Sequence, residues 1–342
     1  MAKKPTQNDV AKLAGVSRGT VSIVLNNRLD GRVPISEETR ERVFKAAQAL
    51  GYAPNPVAQM LKEGSNRLIG VFAYEATFPY ETGTFFFPHL LGIEKAASDQ
   101  DYNVLFFTRN RKNAAPKIYT NGMNSLLLAD GTIILGGAPD RDELLRLVEE
   151  DYPFVCIGRR EVPGCQVNWV TYGYETGSQE ATQYLIDLGH TSLGFVYDST
   201  LSIAEPTQDK LRGVRKAVDA TNVQLIVLDV PHHNALIERI HQHQITALIF
   251  ADPTDFVSAF HLLRENNIAI PGDLSLLSLV NIDEQLAYGV EPTHVETDRY
   301  VVAELAVRTL IQLLDGSVQP PQQHTVACRF TIGNTTGKPG RL

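Results

Sequence analysis

The stretch DVAKLAGVSRGTVSIVLNN, residues 9–27, decides how the N-terminal part of the chain is read. It carries two short apolar periodicities on either side of Gly15. Thr6 stands just before the apolar positions Val10, Ala11, Leu13 and Ala14, the arrangement of a capped short helix, and Gly15 supplies its stop. Ser17 caps a second helix with Thr20 at its third position, and Val21, Val24 and Leu25 form the inward face. A third helix is written in SEETRERVFKAAQALGY, residues 36–52. There Ser36 and Thr39 flank acidic first-turn residues, Val43, Ala46, Ala47 and Leu50 make the stripe, and Gly51 ends it. Two short helices joined by a glycine turn and packed on a third describe a helix-turn-helix, whose second helix lies in the DNA major groove.

The core leaves Arg18, Gly19, Ser22, Ile23 and Asn26 outside on that second helix. Arginine donates a bidentate pair to guanine, isoleucine offers apolar contact to a thymine methyl, and serine and asparagine reach phosphates or bases. The charge distribution agrees. Over all 342 residues the net charge is −8, yet residues 1–67 hold eleven Lys or Arg against six Asp or Glu, which leaves −13 for the remainder. A basic head on an acidic body suits a polyanionic partner for the head and keeps the rest of the molecule off the phosphates.

Next comes NPVAQMLKEGSNR, residues 55–67, in which Asn55 can cap, Pro56 suits a first helical position and Gly64 closes. So short a helix is not stable alone in water and orders only against a partner. Its row Val57, Ala58 and Leu61 reads either as a stub packed on the body or as a conditional hinge. From Leu68 the pattern changes to apolar runs (LIGVFA, NVLFF, TIILGG, PFVCIG, LGFVY, LIVL, TALIFA, LSLLSLV) alternating with helical stretches such as LLGIEKAAS, RDELLRLVEE, ATQYLIDLGH and VVAELAVRTLIQLLDG. Alternation of this kind implies parallel sheets flanked by helices. A break near 159–170 and a return near 295 suggest two open α/β lobes with a ligand held between them at strand C-terminal ends. The expected organisation is therefore α/β overall: a small all-α helix-turn-helix head (1–54), a hinge helix and linker (55–67), and a two-lobed body with parallel sheets (68–342).

DVAKLAGVS, TVSIVLNN, SEETRERV, ALGYAPNPVAQML and the IGV at 69–71 together resemble the head of the lactose-repressor (LacI/GalR) family of bacterial transcription regulators. IDLGHTSLGFV, KLRGVRKA and PGDLSLLSLV extend the resemblance through a body similar to periplasmic sugar-binding proteins. The resemblance implies base reading by Arg18, Gly19 and Ile23, with backbone contacts from Thr6, Ser17, Thr20, Ser22, Asn26 and Thr39. It also implies that two hinge helices pair in the minor groove of a palindromic operator through Asn55, Ala58 and Leu61, the leucine wedging into a base step. By residue type, what could line the cleft and bind an effector is Tyr74, Glu75 and Phe78 after the first strand, with Arg159, Tyr172, Tyr174, Lys210, Asp252 and Asn281. Lys210 stands where the family has an arginine, Asp252-Pro253 where it has Asn-Asp, and Val280 or Asn281 where it has an aspartate. Cationic groups, one acid and several aromatics suit a phosphorylated or carboxylated metabolite as well as a sugar. Glu75, Phe78 and Asn281 read rather as surface or lobe-packing residues, and the Phe-rich FPYETGTFFFPHLLG as core or dimer contact.

Other signals point away from chemistry. Cys156, Cys165 and Cys328 read as buried thiols, and the four histidines of HHNALIERIHQHQ as a solvated helix rather than a metal site. LGG at 135–137 lacks dinucleotide-loop spacing, and no catalytic constellation, metal or cofactor is called for. No run reaches the roughly 18 apolar residues of a membrane span and the start lacks a signal-peptide core, so the expected setting is cytoplasmic. The expected protein is a homodimeric, effector-controlled transcription regulator, most often a repressor in this family, not an enzyme. The rival is a sugar-binding or sugar-metabolising protein whose head is an interaction module.

Overall fold

The computed structural model describes residues 5–25, 35–52, 65–74, 86–108, 116–136, 139–198, 205–219, 221–229, 235–282, 286 and 289–340. Two compact units divide at Asn66 and Arg67.

The first unit holds α1 (Gln7–Ala14), α2 (Arg18–Leu25) and α3 (Glu37–Leu50). Their limits follow from local chemistry. The Thr6 backbone N–H and hydroxyl both donate to Asp9 (2.8 and 2.7 Å), Gly15 turns left-handed at φ 67°, and Ser17 Oγ accepts the Thr20 N–H at 3.0 Å. At the end of α3 Gly51 adopts φ 60° while the Tyr52 N–H returns to the Ala47 carbonyl at 2.9 Å. Val10, Ala11, Ala14, Val21, Val24, Val43, Ala46 and Ala47 fill one small core. Leu13, counted among the apolar positions of α1, is 57% exposed instead, because the two-turn helix turns only one narrow stripe inward.

The second unit opens with β1 (Leu68–Ala73), α4 (Phe87–Ser98), β2 (Asn103–Phe106), a small hairpin of β3 (Tyr119–Thr120) and β4 (Met123–Asn124), β5 (Gly131–Leu135), α5 (Arg141–Glu149), β6 (Phe154–Ile157) and β7 (Trp169–Tyr172). It continues through α6 (Tyr174–Asp187), β8 (Ser192–Tyr197), α7 (Glu205–Val218), β9 (Gln224–Asp229), α8 (Leu236–His243), β10 (Ala247–Phe250), α9 (Pro253–Glu265), β11 (Ser275–Ser278) and β12 (Thr293–Glu296). The chain then returns through α10 (Arg299–Leu314) and β13 (Gln323–Val326) before closing with β14 (Arg329–Thr331). Two six-stranded sheets result, ordered β13-β7-β6-β5-β1-β2 and β14-β12-β11-β10-β8-β9. All pairs within them are parallel except β12 with β14.

Strands covered on both faces read as continuous apolar runs, and this sequence obeys that rule. In the first lobe Ile69, Val71, Ile133, Leu135 and Val155 face α4 and α10, while Phe72, Ile134, Phe154 and Cys156 face the other way against Leu144 and Leu147 of α5. In the second, Phe195, Ile249 and Leu277 pack beneath α6 and α7, and Leu248, Phe250 and Leu276 beneath α8 and α9. Helices α6 and α7 touch closely at Gly213, where an added Cβ would collide with the Glu175 carbonyl. Gly213→Ala is expected to destabilise the body by about 1–3 kcal/mol, since the obstacle is backbone and cannot swing aside; a chemical-denaturation midpoint equal to that of the parent chain would contradict this packing.

The chain passes between the lobes three times, at 172–174, 296–299 and 326–329. The first crossing corrects the expected break near 159–170. β7 still belongs to the first sheet, pairing with β6 and β13, so the lobe ends at Gly173, whose N–H donates to the Val326 carbonyl at 2.8 Å. WVTY, THVE, QHTV and RFT become strands without an apolar run to announce them, because each is a three- or four-residue segment beside a crossing. The cysteines are free; Cys156 is buried, its thiol pushed up to about 12 by burial, whereas Cys165 and Cys328 are half-buried, a partial correction of three buried thiols.

Candidate nucleic-acid interface and effector cleft

Helix α2 presents the expected face. Arg18 and Gly19 are exposed and Ser22 and Ile23 half-exposed, while Val21 and Val24 take the core. Arg18 Nε reaches Gln7 Oε1 at 3.4 Å, a long contact on an exposed side chain. A Cβ at Gly19 would meet nothing closer than Ser17 Oγ at 3.5 Å, so the head's own packing does not require glycine there. Ser17 and Thr20 hydroxyls bond each other at 2.9 Å, as do those of Ser36 and Thr39, and Arg42 adds a donor to Thr39 at 3.3 Å. These hydroxyls sit at the N-termini of α2 and α3, where unpaired backbone N–H groups and the helix dipole favour phosphate. Asn26, Asn55, Ala58 and Leu61, like Glu75 and Phe78, lie outside the described residues.

In the body the structure gathers Tyr172, Tyr174, Lys210 and Asp252 around the first crossing. Lys210 on α7 is buried; its Nζ donates to the Ala251 carbonyl at 2.7 Å and stands 4.4 Å from the centre of the Tyr174 ring. Burial pulls the ammonium down to about 8, opposed by the negative field of Asp252, which caps α9 by accepting the Thr254 N–H at 2.8 Å. The Tyr172 and Tyr174 rings lie 5.2 Å apart, and the Tyr172 hydroxyl shares a 2.6 Å hydrogen bond with His89 Nε2 of α4. Burial raises both phenols well above the usual tyrosine range, opposed in each case by the cationic field of buried Arg299. A string of aromatic faces, hydroxyls and cations thus runs from one lobe through the crossing to the other, a combination that stacks and hydrogen-bonds polyhydroxylated or anionic small molecules.

Two expected residues stand elsewhere. Tyr74 packs edge-on against Phe72 and donates to Glu143 at 3.1 Å, and Glu143 also accepts the Ile118 and Tyr119 N–H groups, so this phenol braces the first lobe. Asn281 Oδ1 accepts the Thr297 N–H and hydroxyl at 2.8 and 2.6 Å, tying the end of β11 to the second crossing. Arg159 has a third arrangement: its Nε and Nη2 grip Asp209 of α7 at 3.0 and 2.7 Å, and its Nη1 pairs with Glu161. Beside it Arg141 Nη2 and the Glu161 N–H both bond Glu205 Oε1 at 3.1 Å. Buried carboxylates on the first turns of α7 are therefore clamped by the opposite lobe. Sequence reasoning missed His89, Glu205, Asp209 and Arg299; Asp209 alone carried a signal, as the acid beside Lys210.

Asp255 in the first turn of α9 is buried, and its carboxyl is pushed up to about 7, by burial first and by Asp252 and Asp198 next. The folded state holds this proton where the unfolded chain has released it, so the contribution of Asp255 is full below its usual 3.8 and is lost as pH rises through about 7. Asp255→Asn, neutral throughout, is expected to flatten the fall in melting temperature between about pH 4.5 and 7.5; an unchanged slope would contradict the assignment.

A three-helix head carrying an outward-facing recognition helix, followed by two parallel-sheet lobes joined across a buried cluster of aromatic and cationic side chains, defines an effector-domain transcription regulator. Comparison with known proteins agrees: residues 6–55 match the model of bacterial regulatory proteins of the lacI family, residues 73–207 that of periplasmic binding proteins and the sugar binding domain of the LacI family, and residues 182–336 a periplasmic binding protein-like domain. The chain belongs to the LacI family of DNA-binding transcription regulators. It is 28% identical over 319 residues to the HTH-type transcriptional regulator RegA of Clostridium saccharobutylicum, covering 90% of this chain and 92% of that one. Its fold is that of the Lac repressor dimer bound to operator and an anti-inducer (TM-score 0.76, 21% identity, 98% and 100% of the two chains). It also matches the regulator CelR in complex with cellobiose (TM-score 0.63, 23% identity, 97% and 99%). These relatives are regulators, not enzymes, and among the described residues no helix is long and apolar enough to cross a membrane.

Proposed function

We propose that this chain is a cytoplasmic repressor that binds a palindromic operator as a homodimer and is controlled by a small molecule in the interlobe cleft. The observation that carries the reading is the outer face of α2, where Arg18, Gly19, Ser22 and Ile23 lie free of the head's core. Base reading falls to Arg18, Gly19 and Ile23, phosphate contacts to the hydroxyls of Thr6, Ser17, Thr20, Ser22 and Thr39 together with Asn26, and minor-groove pairing to Asn55, Ala58 and Leu61. Phe87 and Leu91, one turn apart on α4 and 57% and 45% exposed, support pairing of two bodies. The Lac repressor in the matched structure is a dimer on its operator, and CelR holds cellobiose. Here Lys210, Tyr174, Tyr172 and Asp252 suit a sugar, a sugar phosphate or a related metabolite.

Two heads and two hinge segments clamp the operator, and effector binding changes how the lobes close, which alters the spacing of the subunits. Coupling of this kind is reciprocal: an effector that weakens operator binding is itself bound more weakly in the operator complex by the same factor. Isothermal titration with and without operator measures it, and identical effector affinities would overturn the mechanism. Footprinting on the DNA upstream of the chain's own gene tests the operator.

Gly19 gives a sharper test of α2. Glycine costs a helix interior about 0.5–1 kcal/mol against alanine and less in a first turn, and the space at Gly19 is open. Gly19→Ala should therefore raise the melting temperature of the free head slightly while changing which operators are bound. A variant that keeps the parental operator preference would show that the bare backbone has no role in the groove.

A further inference from the structure

The lobe clamp borders a concavity that the regulator reading leaves unassigned. A cavity of about 420 Å³ opens beside it, and Arg141, Arg159, Arg160, Gln166, Trp169 and Gln323 are among the residues that line it. All six belong to the first lobe: Arg141 opens α5, the other arginines follow β6, and Trp169 and Gln323 begin the paired strands β7 and β13. The three arginines have different duties. Buried Arg160 donates to the carbonyls of Arg159, Ile157 and Gly136 and so shapes the wall. Arg159 grips Asp209, and Arg141, its side chain half exposed, gives Nη2 to Glu205.

The charges are divided in a telling way. Within the first lobe the wall holds three guanidinium groups against one carboxylate, Glu161. The anions that balance it, Glu205 and Asp209, come from the other lobe, and Arg212 already shares Asp209. Planar guanidinium groups bind carboxylate and phosphate by paired N–H donors, and the Asp209 carboxylate shows that Arg159 can do so here. The same lining includes the Trp169 indole and the side-chain amides of Gln166 and Gln323.

We infer that this cavity is a second small-molecule site, separate from the cleft at Lys210, for an organic oxyanion with a flat apolar body. Its carboxylate or phosphate bonds Arg141 and Arg159 in competition with Glu205 and Asp209, and its ring lies on Trp169. Because the same arginines hold the lobes together, occupancy loosens the clamp and feeds into the lobe arrangement.

Trp169 is the chain's one tryptophan, so its emission reads the cavity directly. The full-length chain is titrated with phenyl phosphate and, separately, with benzoate at constant ionic strength, with phenol and potassium chloride as controls. A saturable emission change with either oxyanion and with neither control is expected, and which of the two saturates at lower concentration tells phosphate from carboxylate. Glu205→Gln releases Arg141 from its competitor and should lower the half-saturation concentration about threefold, while Arg141→Met should raise it roughly tenfold. If Arg141→Met does not fold, Arg141→Lys, which keeps the charge and loses the fork, should raise it about threefold. No saturable change, an equal response to phenol, or unaltered half-saturation in the folded Arg141 and Glu205 variants would each overturn the site.

Discussion

Arg18→Ala is expected to cost about 1–3 kcal/mol in each half-site, hence about 2–6 kcal/mol, or roughly 30-fold to 10⁴-fold, for a dimer on a palindrome. The reasons are local. Arg18 opens α2 with its side chain exposed, five residues before Ile23, and among the described residues its side chain's one hydrogen bond is the 3.4 Å approach to Gln7. A guanidinium in that position loses little protein bonding when it turns to a guanine edge. The loss should fall on one base pair per half-site, so operators altered at that pair should be bound equally by parent and variant. Competition binding with a set of single-base operator variants measures it. A uniform loss across all sequences would make Arg18 a phosphate contact.

The second large effect lies in the body. Asp209→Ala leaves the Arg159 side chain, only 17% exposed, without its bidentate partner and breaks one of the links between lobes. Removing one member of a buried pair strands the other charge, here with a cost of about 3 kcal/mol. For a body of this size that corresponds to a fall of roughly 6–12 °C in melting temperature. Asp209→Asn keeps an acceptor for the guanidinium and should lose about half as much. A thermal melt of Asp209→Ala that matches the parent chain would mean the clamp is a surface pair of negligible worth.

Much of this molecule was legible in its sequence, for reasons that differ by region. The head was legible because its punctuation is local: Thr6, Gly15, Ser17 and Gly51 each act within four residues of where they stand. The lobes were legible because strands buried on both faces leave apolar runs, as IGVFA and TALIFA do. Those signals vanish at the crossings. β7, β12, β13 and β14 are short and carry polar residues such as Thr171, Thr293 and His324, so the boundary between the lobes fell too early.

The cleft was partly legible. Residue type alone suggested Tyr172, Tyr174, Lys210 and Asp252, and the fold brings them together. Arg159 looked like a ligand residue, yet it meets Asp209 fifty positions away, a pairing no local pattern displays. Tyr74 and Asn281 follow the right strands but turn to Glu143 and Thr297. A strand's C-terminal end tells where a side chain starts; its hydrogen-bond partners decide what it does.

The basic head is expected to read a specific DNA sequence. Fluorescence anisotropy of the full-length chain on the fragment upstream of its own gene, against a scrambled fragment over a series of salt concentrations, tests it most directly. A preference for the specific fragment of at least about 10³-fold at physiological salt is expected, with affinity for both falling steeply as salt rises. Equal affinity for both fragments, or binding indifferent to salt, would contradict it.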